Sequence, residues 1–320
     1  MNYEVIITAI LLLVCWIVLA VLDTVVSGIA AILGGARFKR VFRWGLLSLL
    51  IPVIALAYGA LIERNWYQVK EVTADSSELP KSFDGFKIVH ISDIHLRSFA
   101  GRPESLRRAV KRINSLDPDI VCFTGDLVSM DMSEMDGFED ILKSIDAPVF
   151  SVLGNHDYHI YAGGNGNPAI EAEVEELKER ERALGWHLLL NSSEIICRGS
   201  DSLAVIGVEN TSESVHFPSH GNLEAATDGT EGCFRILLSH DPTHWDMEVI
   251  GKDIPLTLSG HTHAIQLSLL GWSPSRYIFK RYRGLYKKGK QYLYVNIGLG
   301  ETIIPARIGT RPEITLITLR

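Results

Sequence analysis

Cysteine is scarce: the 320 residues contain four, Cys15, Cys122, Cys197 and Cys233. No two stand as C-x-x-C, which excludes a zinc knuckle and a dithiol redox motif. Cys15 lies in an apolar run and Cys122 in a strand-like run. A Cys197–Cys233 disulfide stays open beside the ordinary reading of these residues as small core fillers. A basic excess is also missing. Lys and Arg total 31 against 38 Asp and Glu, for a formal net charge of −7, so no nucleic-acid partner is expected, and no acidic block marks a disordered tail. The chain shows no internal repeat, which removes the solenoids. Low complexity is confined to the Gly/Asn-rich residues 163–167, a surface loop by composition.

Two long apolar runs are present. Val5 to Leu22 and Trp44 to Ile62 each approach the ~20 residues that a helix needs to cross a hydrocarbon core. Pro52 would kink the second run without preventing it from spanning. The first run has no Lys or Arg before it and is long for a signal core, so it does not read as a cleaved signal peptide. Residues 25–36 are apolar but too few to span, and would extend the hairpin or lie in the interface. Arg37, Lys39, Arg40 and Arg43 fall between the runs. The positive-inside rule then places this connection in the cytoplasm and both chain ends outside. The reading is a multi-pass membrane protein whose catalytic part is extracytoplasmic.

Residues 1–64 thus form a membrane anchor, and 65–85 read as a polar, turn-rich linker that opens on Trp66 and Tyr67, an interfacial aromatic pair. A catalytic domain follows over 86–320. Its first strand-like segment is 87–92. A helix is expected from Pro103 to about Leu116, where Leu106, Val110 and Ile113 recur at helical spacing. Residues 119–124 and 148–153 read as strands and 169–184 as a charged helix. Later strand candidates are 203–208, 234–239, 255–259, 292–296 and 314–319. The class is α/β.

Five short motifs each follow a strand candidate: Asp93-Ile-His95, Gly125-Asp126, Gly154-Asn-His-Asp157, Ser239-His240-Asp241 and Gly260-His-Thr-His263. Loops at the carboxyl ends of parallel strands gather at one sheet edge, so separated motifs converge. Carboxylate, imidazole and amide oxygen suit divalent manganese, iron, zinc or magnesium, and the lack of cysteine argues against a structural zinc site. Residues two apart on an extended strand point the same way, which lets Asp93 and His95 reach one ion and gives His261 and His263 the same geometry. Gly125 and Gly260 leave backbone room beside a ligand. Any one motif is weak. His90, His159, His187, His216, His220 and His244 read as hydrogen-bonded or exposed histidines outside the site.

As an ordered set the motifs resemble the calcineurin-like metallophosphoesterase superfamily. The resemblance covers residue 86 to about 320. The segments at 78–80, 90–95, 298–300 and 311–317 resemble its bacterial membrane-associated branch more narrowly. It implies a two-sheet β-sandwich flanked by helices, with two divalent metal ions. By motif position Asp93, His95 and His263 would hold one ion; Asn155, His240 and His261 would hold the other; and Asp126 would bridge them. His156 would contact the substrate phosphate or protonate the leaving group. In many members an Asp three residues after the bridging Asp orients that histidine. Here Ser129 stands there, with Asp131 slightly beyond, so the orienting partner is open. Asp157 is given a structural role first. Ala264 and Ile265 stand where close relatives often have glycine.

The expected activity is phosphodiester or pyrophosphate hydrolysis on a membrane-associated phosphate compound, such as a lipid-linked or nucleotide-sugar phosphate. A phosphomonoester or phosphoprotein phosphatase is the alternative, but the longer signatures of the protein phosphatases are missing. A non-catalytic metal-binding membrane protein is another, yet every ligand position is filled. Seven basic residues between Arg276 and Lys290, interleaved with Trp272, Tyr277, Phe279, Tyr282 and Tyr286, suggest contact with anionic headgroups. Arg281 and Arg283 are its candidate substrate contacts. No protein partner is implied.

Overall fold

The computed structural model describes residues 3–34, 37–159 and 167–320; the Gly/Asn-rich stretch expected as a loop lies outside them except for Asn167. Helix α1 runs Tyr3–Gly34, so the apolar residues after 22 continue the first helix. Helix α2, Phe38–Gly45, passes through a 3₁₀ turn at Leu46–Leu49 into α3, Leu50–Leu61. The tighter turn comes just before Pro52, whose missing N–H leaves the Ser48 carbonyl without its usual intrahelical donor. Val5–Gly34 and Phe38–Asn65 are each long and apolar enough to cross a membrane.

The remainder is two six-stranded mixed sheets packed face to face. Sheet one has the order β1 (Gln68–Ala74), β12 (Glu313–Leu319), β2 (Lys87–Ile91), β3 (Ile120–Phe123), β4 (Val149–Ser151), β5 (His187–Leu188). Sheet two has the order β10 (Gly284–Lys288), β11 (Gln291–Val295), β9 (Leu256–Ser259), β8 (Phe234–Leu238), β7 (Asp201–Gly207), β6 (Ser192–Arg198). Strands β2 to β5 are mutually parallel, as are β7, β8, β9 and β11.

Period-two alternation sorts the core. Ile88, Ile120 and Cys122 face the second sheet and meet Val205, Ile236 and Leu258. Val89, Val121 and Phe123 face outward, against Leu106, Val110 and Ile113 of α4 (Pro103–Asn114) and Leu177 of α6 (Pro168–Ala183). A short helix, α5 (Glu139–Leu142), closes that layer through Ile141 and Leu142. Ala204, Ile206 and Leu237 face outward on sheet two against Trp245 and Val249. Each Val, Leu, Ile or Phe among them contributes roughly 1.5–3 kcal/mol by leaving water. All four cysteines are free, Cys197 and Cys233 included.

Residues 65–85 depart from their reading as a linker. Seven of them form β1, paired in parallel with β12 from Gln68↔Glu313 to Ala74↔Leu319. Their polar character fits an edge strand with one face in solvent. The end of the apolar helix is also fastened to the domain. Arg64 pairs with Glu301 at 2.7 Å and donates to the carbonyls of Ser98 and Pro305. Buried Glu63 accepts from Gly309 N at 2.9 Å.

Glu181 of α6 is fully buried, and neither carboxylate oxygen has a hydrogen-bond partner among the described residues. Burial, then the charge of Asp157, pushes its carboxyl up to about 8 from 4.5. The folded chain therefore holds this proton between about pH 4.5 and 8, where the unfolded chain has released it. Stability falls as pH rises through that window. Glu181→Gln is expected to stabilise the domain by up to about 4 kcal/mol at pH 8 and by far less at pH 5. Melting curves of the two proteins at both values check this; an equal gap at both would contradict it.

Candidate metal centre

Five strands lead into the site. Parallel β2, β3 and β4 end level on sheet one, with Ile91↔Phe123 and Phe123↔Ser151 in register. Adjacent β8 and β9 do the same on sheet two. Their carboxyl ends deliver Asp93 and His95, Asp126, Asn155 and His156, His240, and His261 and His263 to one edge of the sandwich.

The backbone there is unusual. Asp93, His95, Asp126, His261 and His263 have φ between 46° and 73°. This left-handed region costs a non-glycine residue roughly 1–2 kcal/mol, and such strain concentrates where side chains are aimed for function. The turn continues through Ala264 and Ile265 at φ 48° and 52°. That conformation is the physical reason glycine would suit both positions. Close approach explains the glycines that are present. A Cβ on Gly260 would lie 2.3 Å from Asp93 Oδ2, and one on Gly125 2.3 Å from Gly154 N.

The ligand-type atoms form overlapping groups: Asp93, His95, His263; His95, Asp126, His156; and Asp126, His240, His261. His95 Nε2 is 3.2 Å from His263 Nε2, which lies 3.2 Å from Asp93 Oδ1. Asn155 Oδ1 is 3.1 Å from His240 Nε2 and 2.7 Å from His261 Nδ1, and these two nitrogens are 3.2 Å apart. Asp126 Oδ2 joins the groups, 3.5 Å from His95 Nε2 and 3.2 Å from His240 Nε2. Donors held ~2.1 Å from one ion lie roughly 3.0–3.4 Å apart in octahedral or tetrahedral geometry. Five of the seven spacings fall in that range, with 2.7 and 3.5 Å just outside it, and two imidazole nitrogens converging at 3.2 Å fit a shared cation better than a hydrogen bond between rings. The donor set fits two ions sharing Asp126.

The protonation balance agrees. Burial opposes charge on Asp93 and Asp126, yet the imidazoles of His263 beside Asp93, and of His240 and His156 beside Asp126, hold both carboxyls well below the usual range. Burial, with His156 and His263 nearby, keeps His95 neutral. Burial also opposes a charge on His240, but Asp126, Asp93 and the Thr124 carbonyl push it up to about 10. A metal entering there competes with that proton.

A second ring of contacts holds the ligands. His240 Nδ1 donates to Thr124 O at 2.7 Å, which fixes Nε2 as the inward atom. Ser129 Oγ lies 3.1 Å from His95 Nδ1. Both Asp93 oxygens accept from His261 N at 3.1 Å. The Gly298-Leu-Gly300 segment grips the same strand end through Leu299 N to Ser92 O and Gly300 N to Asp93 O. Asp157 is buried and accepts from the N–H groups of Asp126, Leu127, Val128 and Gly154 at 2.7–3.1 Å, tying two ligand loops together.

The orienting partner of His156 is a main-chain atom. Its Nδ1 lies 2.8 Å from Ser129 O. A carbonyl only accepts, so Nδ1 carries the proton. Asp131 instead caps a short turn through Ser133 N. No side-chain motif could have signalled this bond. Buried Arg307 was missed for a similar reason. It donates to the carbonyls of Ile297, Gly298, Gly300 and Thr310 and shapes the loop that grips Asp93.

Arg281 and Arg283 each have partners of their own. Arg281 pairs with Asp246 at 3.3 Å and lies over the Trp245 and Tyr286 rings. Arg283 donates to Gly271 O and lies over Tyr282. The six other histidines stay outside the metal-ligand groups, as expected. His90 bonds Thr124, His244 bonds Ser239, His159 and His187 meet Glu173 and Glu194, and His216 and His220 are exposed.

Fold and site together define a metal-dependent phosphoesterase with a dimetal-type centre. The chain belongs to the calcineurin-like phosphoesterase family, whose model matches residues 86–264. It is similar to a transmembrane protein with metallophosphoesterase domain from Danio rerio, 33% identical across 87% of this chain and 63% of that one. The chain thus spans under two thirds of that relative. An uncharacterized metallophosphoesterase, YkuE of Bacillus subtilis, is 31% identical across 82% of this chain and 89% of its own. The UDP-2,3-diacylglucosamine pyrophosphatase LpxG of Chlamydia muridarum is 27% identical across 78% and 88%.

Proposed function

We propose that the chain hydrolyses a phosphodiester or pyrophosphate bond in a membrane-associated substrate, a lipid-linked or nucleotide-sugar phosphate. The observation that carries this reading is a phosphoesterase metal centre on a domain bolted directly to the end of an apolar helix. Arg64 holds Glu301, one residue beyond the Gly300 that grips Asp93. The name of the chlamydial relative, a pyrophosphatase of a nucleotide-linked diacylated sugar, is consistent with it.

Two divalent ions held by Asp93, His95, Asp126, Asn155, His240, His261 and His263 would supply Lewis-acid charge to the phosphate and lower the pKa of a water. Asp126 would serve both sites. Asn155 would contribute a neutral amide oxygen, which would leave the centre less anionic than an all-carboxylate one and keep more charge for the substrate. His156 is half-buried at the edge of the cluster, its ring 4.8 Å from that of His95. With Nδ1–H fixed on Ser129 O, Nε2 is the ring atom from which a proton would pass to a departing oxygen. The reaction needs no Ser or Cys nucleophile. A screen of the purified full chain, with manganese, iron, zinc or magnesium added, tests this against chromogenic phosphodiesters, nucleotide sugars and phospholipids. Turnover of monoesters alone would replace the reading with a phosphomonoesterase.

We further propose that the catalytic domain lies outside the cytoplasmic membrane. Arg37, Lys39, Arg40 and Arg43 between the apolar helices support this by the positive-inside rule. Alkaline phosphatase fused after Arg320 is expected to be active, and a fluorescent protein that folds only in the cytoplasm to be dark. The reverse pattern would put the active site in the cytoplasm.

A further inference from the structure

The segment between ligand His263 and β10 forms a loop with both ends clamped at the metal centre. Thr262 Oγ1 donates to Tyr282 O at 2.6 Å, Ser273 Oγ donates to Ala264 O at 3.0 Å, and Phe279 packs edge-on against His261. The tip is a tight hairpin in which Leu269 and Trp272 exchange both N–H···O bonds at 2.7 and 2.9 Å. Its central residues, Leu270 and Gly271, have φ of 49° and 86°. Positive φ at both places is the turn that Asn-Gly or Asp-Gly normally fills. Here the first place holds a strained leucine that is wholly exposed. Around it Leu269, Tyr277 and Ile278 are 67%, 75% and 68% exposed, and Trp272 is half-exposed. An apolar cluster at the most solvated part of a rigid turn calls for an apolar neighbour.

The loop's position says which neighbour. Leu267 forms a bridge with Ile308, and Ser268 N donates to Ile308 O at 2.7 Å. Ile308 packs on the apolar helix, close enough that a Cβ on Gly59 would be 3.0 Å from its side chain. Gly59 precedes Ile62, the last apolar residue, by about 5 Å along the helix axis. The base of the loop therefore stands level with the final turn of the membrane-type helix. Trp66, half-exposed beneath Arg311, marks the interfacial level just beyond it.

We propose that residues 264–283 form a membrane-seated lip of the active site. The tip at Leu269, Leu270, Trp272, Tyr277 and Ile278 enters the interfacial layer of the bilayer that holds the apolar helices, with Arg276 against anionic headgroups. Because the loop leaves His263 and returns over His261, this seating faces the metal centre toward the membrane surface, where a lipid-borne phosphate would enter. The proposal rests on the membrane placement given above.

Its test uses the full chain in nanodiscs of phosphatidylcholine and phosphatidylserine, with a polarity-sensitive fluorophore on one cysteine at a time. The probe sites are Cys15 within the first apolar helix, Leu270→Cys at the tip, and Glu175→Cys on α6 as an outward control; the other reactive cysteines are replaced. Lipids carrying a nitroxide near the headgroup are expected to quench the probe at 270, and deep nitroxides the probe at Cys15. The probe at 175 should respond to neither. Quenching at Cys15 with none at 270 would overturn the lip alone, and no quenching at either would overturn the membrane placement with it. The double variant Leu269→Asp/Leu270→Asp should lose on the order of tenfold or more in turnover of a lipid-anchored phosphodiester. It should keep the wild-type rate on a water-soluble diester. Equal losses on both would show a structural role only and reject the proposal.

Discussion

Asp126→Asn is expected to remove at least ~10³-fold of the turnover and to lower the metal content below two ions per chain. The substitution preserves shape and removes one negative charge. That charge is shared, since Oδ2 stands 3.5 Å from His95 Nε2 in one ligand group and 3.2 Å from His240 Nε2 in the other. An amide offers a single neutral oxygen, so neither site keeps a full bridging ligand. The loss at two sites from one atom separates Asp126 from Asp93, whose replacement should empty one site first. The fold should survive, because the loop is held by the backbone N–H groups of Asp126, Leu127 and Val128 on Asp157, which the change leaves in place. Metal analysis of the purified variant, beside its melting curve, checks both halves. Wild-type protein that is fully active with one ion per chain would sink the shared-site reading.

His156→Ala is expected to keep both metals and lose on the order of 10²-fold or more in turnover. The size of the loss should depend on the leaving group. An ester whose leaving oxygen is already a weak base needs little help and should suffer least. A poorly leaving alkoxide should suffer most, since His156 Nε2 would supply its proton. His263→Ala should behave differently, losing metal at the site shared with Asp93 and His95 and losing activity on every ester alike. Equal losses across leaving groups in His156→Ala would mean that the ring acts only by position or charge, and the acid role would be wrong.

These assignments were open to sequence reasoning because of where the candidate ligands sit. Each of the seven follows a parallel strand closely, and the carboxyl ends of parallel strands meet at one edge whatever the rest of the chain does. The extended-strand alternation expected to aim Asp93 with His95 and His261 with His263 is not what places them: all four lie beyond their strands in the left-handed region, and His261 and His263 fall in different groups, while glycine at 260 stands where a Cβ would collide. The two apolar runs were equally legible, since helix length against hydrocarbon thickness needs only local composition. The alternation in Ile88-Val89-His90-Ile91 told which faces are covered but not by what.

Other features depended on partners far away in the chain. Gln68 to Ala74 read as polar linker, because an edge strand with a wet face has little apolar signature; it is β1 only because β12, more than 200 residues later, lies beside it. The orienter of His156 is a carbonyl oxygen, which every residue possesses and no motif records. Arg307, Glu301 and the docking of Arg64 unite segments whose spacing carries no period. The amino-acid sequence by itself determined the ligand chemistry, the apolar helices and the strands that carry the site, since those follow from side-chain type and short-range periodicity. Only the tertiary structure decided which backbone atom orients His156, which edge β1 joins, and which loop stands level with the end of the apolar helix. Those outcomes depend on long-range packing, where one residue type serves many partners and only the folded geometry selects among them.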